Sequence, residues 1–374
     1  MSNAKYVTIP VPTVDIDEAA RLIEVIGKNV TVLLLSEPGV GKTSVLRLRA
    51  IRNGDKWRNP GDYFPEDKYQ YVYVDGGNLR ENDLAIYMPD RETKRVEQYV
   101  TSLIDWDDKR PVIMMIDEVL KIPKLSKPLV TRLILERCVG DRRLHPDSEL
   151  FCTSNNASDG VNDSIEAHVG NRLCIVQMRK PTARKWLVWA SENGISALTR
   201  TYIALHPSSM ASYKDGDQSN NSDIFNPRST NVSFGSPRSY AQNDYIVRNW
   251  RVLGLDVAKA AMMGTIGASA GEKMAAFLSL EDDALAPKDI LADPENVKIP
   301  EKPAALFMST FNLIDAVETQ DDMTAAMKFV KRSTGRELQS VFVQMLFDGK
   351  LAKIAKNNSL VTQFIRENPE LLRD

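Results

Sequence analysis

One stretch constrains this chain more than any other: residues 31–35, a β-branched and leucine run, lead into Ser36-Glu37-Pro38-Gly39-Val40-Gly41-Lys42-Thr43. The run predicts a buried strand, and the residues from Ser44 through Arg49 predict a helix. A strand that feeds a glycine loop into a helix start points several backbone N–H groups, and the positive end of the helix dipole, at one place. A phosphate chain fits there. Lys42 would reach its outer phosphates as a point charge, and the Thr43 hydroxyl would ligate Mg²⁺.

Apolar runs at 71–74, 112–116, 150–153 and 173–178 add four more strands, separated by helix-sized segments. Such runs, buried on both faces, predict a five-stranded parallel sheet covered by helices in an α/β fold. Upstream, 14–26 carries apolar residues at helical spacing, with Asp15 or Asp17 to cap it. Past Pro181 the pattern turns helical, over 182–192, 195–205, 239–253 and 256–280. Residues 207–235 are rich in Ser, Asn, Asp and Gly, so a long loop or a locally disordered insertion is expected, with mobility suggested by its length. Pro287, Pro294, Pro300 and Pro303 then punctuate an extended connection, and helices over 304–317, 323–331, 337–347 and 360–367 close the 374-residue chain. Three parts follow: a nucleotide-binding core at 1–180, a helical lid at 181–285 and a helical C-terminal region at 286–374.

The glycine loop matches the Walker A pattern except that Ser36 stands at its first glycine. The strand at 112–116 delivers Asp117 and Glu118, where Asp117 would hold the Mg²⁺ shell and Glu118 would take a proton from an attacking water. Together these motifs resemble those of AAA+ ATPases, which implies that family's five-stranded core with a helical lid and makes ATP the cofactor beside Mg²⁺. Pro38, Gly39, Val40, Gly41, Lys42, Thr43 and Ser44 are then the cofactor-binding loop, with Thr43 and Asp117 on the metal. Ser154-Asn155-Asn156 resembles the family's sensor one, with Asn155 as the choice and Asn156 as the alternative. Asp159-Gly160 and Gly170-Asn171-Arg172-Leu173 resemble a segment of the MoxR-like group, which implies that Arg172 reaches a neighbouring subunit's nucleotide. Asn171 and Leu173 depart from that group's pattern. Ser236-Pro237-Arg238 resembles the start of its sensor two helix and implies that Arg238 meets the γ phosphate. Residues 83–89 resemble the start of an insertion that faces the ring pore, with Tyr87 and Met88 as gripping residues, and 139–143 lie where the group has a hairpin. The resemblance implies a homo-oligomer, expected as a hexameric ring, and a protein client, with a von Willebrand A-domain protein as a candidate partner.

The composition bounds the alternatives. With 48 basic and 50 acidic side chains the formal charge is -2, which disfavours a nucleic-acid motor or loader. A slow nucleotide-gated scaffold is a further alternative. No apolar run reaches the ~20 residues that span a bilayer, and the polar start at 1–6 lacks a signal region. The cytoplasm is expected, or a host's cytoplasm if the chain is viral. Cys138, Cys152 and Cys174 are expected as buried thiols, and His145, His168 and His206 are too scattered for a metal-dependent nuclease or protease.

Overall fold

Every apolar run that reads as a strand forms one. The computed structural model describes residues 11–156, 170–229, 231–333 and 335–372. In chain order the strands are β1 (Thr13–Val14), β2 (Thr31–Ser36), β3 (Gln70–Asp75), β4 (Ala85–Asp90), β5 (Arg95–Val100), β6 (Val112–Asp117), β7 (Cys138–Val139), β8 (Arg142–Arg143), β9 (Glu149–Asn155) and β10 (Leu173–Met178). Six make one parallel sheet in the order β1-β10-β2-β9-β6-β3. The five expected strands are therefore joined by a sixth, the two-residue β1, too short to leave an apolar run.

Alternate residues of the inner strands fill two separate layers. Leu33, Met114, Ile116, Leu150 and Cys152 pack on one face, and Val32, Leu34, Ile113, Met115 and Phe151 on the other. That is why these strands read as unbroken apolar runs rather than alternating ones. The second layer is closed by α1 (Ile16–Ile26) and α2 (Ser44–Asn53); α3 (Lys127–Glu136) lines the first. Asp15 caps α1: it accepts from Glu18 N at 2.8 Å while Glu18 accepts from Asp15 N at 2.7 Å. At the other end of this layer, Arg49 of α2 forks onto Glu149 of β9 at 3.0 and 2.9 Å and reaches Glu24 of α1 at 3.1 Å.

Two hairpins stand off the sheet. β4 pairs with β5, placing Tyr87 opposite Gln98, and β7 pairs with β8 across Gly140. A Cβ on Gly140 would fall 1.9 Å from Gln98 Oε1, so the longer hairpin rests directly on the turn of the shorter one.

The chain divides into two units between Lys180 and Pro181. The second is helical, beginning with α4 (Ala183–Glu192), α5 (Ala197–Leu205) and α6 (Pro237–Arg248). Two expectations change here. The single helix expected over 256–280 breaks at Gly267 (φ 94), where a Cβ would lie 2.8 Å from Ser233 O. Pro287 opens a helix, Pro287–Ala292, in place of an extended segment, because proline suits the first turn. The irregular stretch before α6 is fastened in place: Gly235 N donates to Asp223 O at 2.6 Å, Lys273 pairs with Asp223 at 2.7 Å, and Phe225 packs on Phe234 and Tyr213. One hydrophobic core runs from Ala183 to Leu371, so residues expected in the lid and in the C-terminal region share it.

Candidate active site

Strands β2, β9 and β6 end side by side, with Ser36 opposite Asn155 and Ile116 opposite Cys152. In open parallel sheets ligands gather at such carboxyl ends. From β2 the loop turns through Gly39 (φ 76) and Gly41 (φ 104). A Cβ on Gly41 would meet nothing nearer than Ser44 Oγ at 3.6 Å, so the left-handed backbone angle, not crowding, calls for glycine there. Ser36 is still strand and has no positive φ, which explains why serine is tolerated at that position; its hydroxyl donates to Glu37 O at 3.0 Å. Pro38 lies in the turn itself, and Val40 tucks its side chain into the layer beneath α2. Thr43 stands at the N-cap of α2 without a side-chain capping bond, so the helix does not consume its hydroxyl, and Ser44 is the first helical residue.

Lys42 is buried, and its ammonium donates to Asn155 Oδ1 at 2.7 Å and to Glu37 O at 3.5 Å. Asn155 Nδ2 donates in turn to Glu118 Oε1 at 3.4 Å. An ammonium can only donate and a carboxylate only accept, so this order fixes the amide's orientation. Three candidates from three separate strand ends thus form one chain of contacts. Asn156, the alternative, is buried.

Asp117 and Glu118 divide at a sharp backbone turn. Glu118 adopts φ 50 and ψ 41, a left-handed conformation that a glutamate holds only under constraint. Its Oε1 also takes Lys121 Nζ at 2.9 Å. Asp117 accepts from Glu118 N at 3.1 Å, from the Tyr73 hydroxyl at 3.2 Å and from the Thr153 hydroxyl. Gly76 and Gly77 pass close by: a Cβ on Gly76 would sit 2.5 Å from Asp117 O, and one on Gly77 3.2 Å from Glu118 Oε2. Tyr73, Gly76, Gly77, Lys121 and Thr153 were not read from the sequence. The Gly76-Gly77 pair directly after a strand was the available signal.

The donor set suits a magnesium nucleotide: a glycine turn of open backbone, a lysine, a threonine hydroxyl with no hydrogen bond among the described residues and a carboxylate. Among the described residues no three His, Cys, Asp or Glu side chains form a metal cage. Mg²⁺ characteristically takes one or two protein oxygens and draws the rest from phosphate and water.

Arg172 is exposed in the turn before β10, with no hydrogen bond or ion pair among the described residues. Leu173 pairs with Thr31, so Arg172 stands at the far end of the sheet from the loop after Ser36. Arg238 is exposed on the first turn of α6, in the second unit, where Ser236 and Ser239 form a capping box. Asp159-Gly160 and His168 lie outside the described residues.

Tyr87 and Met88 are 55% and 52% exposed. Burial pushes the Cys152 thiol up to about 12, while Cys174 is only half-buried, against expectation. No described helix is long and apolar enough to cross a membrane.

No protein-family model and no curated protein matches the chain. Among solved structures, the RuvB Holliday junction branch migration motor of Thermotoga maritima is similar over 75% of this chain and 75% of its own, at 14% identity and a TM-score of 0.36. NtrX from Brucella abortus, in complex with ADP, is similar over 95% of this chain and 68% of its own, at 13% identity and a TM-score of 0.36.

Proposed function

We propose that this chain is an ATPase of the AAA+ kind, which hydrolyses ATP at the ends of β2, β9 and β6 and uses the cycle to remodel a protein partner. The observation that carries the reading is the chain Lys42–Asn155–Glu118, assembled from three strand ends beside a glycine loop. In it Lys42 binds the β and γ phosphates, and Asn155 spaces that ammonium from the base. Glu118 takes the proton of the attacking water. Thr43 and Asp117 would hold a magnesium ion, which when bound offsets phosphate charge. Arg172 serves the site of a neighbouring copy in a ring, expected as a hexamer, and Arg238 is assigned to the γ phosphate by the resemblance of Ser236-Pro237-Arg238 alone. The exposed Tyr87 and Met88 grip the client, of which a von Willebrand A-domain protein is one candidate, in the cytoplasm.

Lys42→Ala removes the phosphate's counter-charge, whereas Glu118→Gln keeps the shape and removes the base. Labelled ATP should fail to bind Lys42→Ala and should bind Glu118→Gln normally, with phosphate release from the latter down about 10²–10⁴-fold. Normal turnover in Glu118→Gln would overturn the assignment. In pull-downs with the trapped Glu118→Gln variant, capture of DNA and of no protein would turn the reading to a nucleic-acid motor.

A further inference from the structure

Asp117 is held more fully than the sequence pattern requires. It ends β6, the strand between β9 and β3, and each neighbour sends it one hydroxyl. In the register Tyr73 lies opposite Met115 and Phe151 opposite Met115 from the other side, so Tyr73, Asp117 and Thr153 share one face of the sheet. Tyr73 then reaches Asp117 along the diagonal, which a long aromatic side chain can span. Thr153, fully buried, and the Glu118 N–H both donate to Oδ1, and Tyr73 donates to Oδ2. An ionised carboxylate offers about four acceptor directions. Among the described residues three are taken, and the remaining one belongs to Oδ2.

We propose that Tyr73 and Thr153 are positioning residues that lock the Asp117 carboxylate so that the one open direction on Oδ2 serves the magnesium that accompanies nucleotide. This deepens, and rests on, the ATPase reading above. A carboxylate free to rotate would spend part of its time with that direction turned away, and the ion would bind the remaining population only.

The test is a Mg²⁺ titration of labelled-ATP binding, read beside binding in EDTA and beside phosphate release. Tyr73→Phe deletes only the hydroxyl, and Thr153→Val keeps the buried shape. Tyr71→Phe is the control: on the same strand, it loses a 2.7 Å bond to Asp55 that has no part in the site. The expected result is that Tyr73→Phe needs about three- to tenfold more Mg²⁺ for half-maximal binding and turnover, the worth of one ordinary hydrogen bond. Binding in EDTA stays at the wild-type level, the deficit in turnover narrows as Mg²⁺ is raised, and Tyr71→Phe titrates like wild type. An unshifted titration in Tyr73→Phe overturns the inference alone, and so does an equal loss of affinity in EDTA, which marks a merely structural role. Wild-type protein that binds no labelled ATP overturns the ATPase reading and this inference with it.

Discussion

At the scale of single residues, Asn155 shows why an amide occupies the centre of the site. Of the neutral side chains, only an amide offers a carbonyl oxygen to an ammonium and an N–H to a carboxylate at the same time, and Asn155 does both between Lys42 and Glu118. Asn155→Ala should therefore keep labelled-ATP affinity, which the proposal assigns to Lys42 and the loop backbone, and lower kcat about a hundredfold through a mispositioned base and phosphate. An unchanged kcat would remove Asn155 from the site. The sequence named both asparagines because it shows residue types and not the contacts that side chains make at a strand's end. Gly76 illustrates the converse limit: nothing in its neighbours says that Asp117 O will pass within 2.5 Å of its missing Cβ, since that approach is created by pairing across the sheet. Such pairing lies between residues far apart in the chain.

At the scale of elements, legibility followed burial. The inner strands were readable because both of their faces are apolar, and the Thr31–Ser36 strand brought its loop with it. β4 and β5 were not, since Ile86, Tyr87, Met88, Val96 and Tyr99 are exposed and no core imposes a period on them. The break at Gly267 escaped because apolar spacing continues through it; the positive φ of 94 and the approach of Ser233 O mark it instead. The attachment of α2 to the sheet was also invisible, because it rests on charges. Arg49 and Glu149 are each 1% exposed and share two hydrogen bonds. Arg49→Met strands the Glu149 carboxylate in the layer and should cost about 3–5 kcal/mol in urea unfolding, whereas replacing both, Arg49→Met with Glu149→Leu, should recover most of it. If the double variant is no more stable than the single one, the penalty is not that of an unpaired buried charge. Because α2 begins at Ser44, directly after the loop, the single variant should also weaken labelled-ATP binding.

At the scale of the whole molecule, the position of Arg172 decides whether one copy suffices. It precedes Leu173, which pairs with Thr31, while the glycine loop follows Ser36 at the other end of the same strand. Five residue steps of parallel strand separate those ends by about 16 Å, more than an arginine side chain can reach. An arginine that acts on phosphate from there acts on another copy, across a head-to-tail contact, and such contacts make a ring where the rotation between copies closes. Arg172→Ala and Glu118→Gln should then each be inactive alone yet partly active together. A working site needs Glu118 from a subunit of the first kind and Arg172 from an adjacent subunit of the second kind. Random placement in an equal mixture makes about a quarter of the sites complete, and turnover should approach that share of wild type when neighbouring sites work independently. The measurement is phosphate release across mixing ratios, with subunit exchange followed by labelled protein. Recovery should peak at equal amounts and vanish at either extreme. Exchanged subunits that stay inactive at every ratio would show that Arg172 does not serve a neighbour, and the argument for a ring would lose its main support.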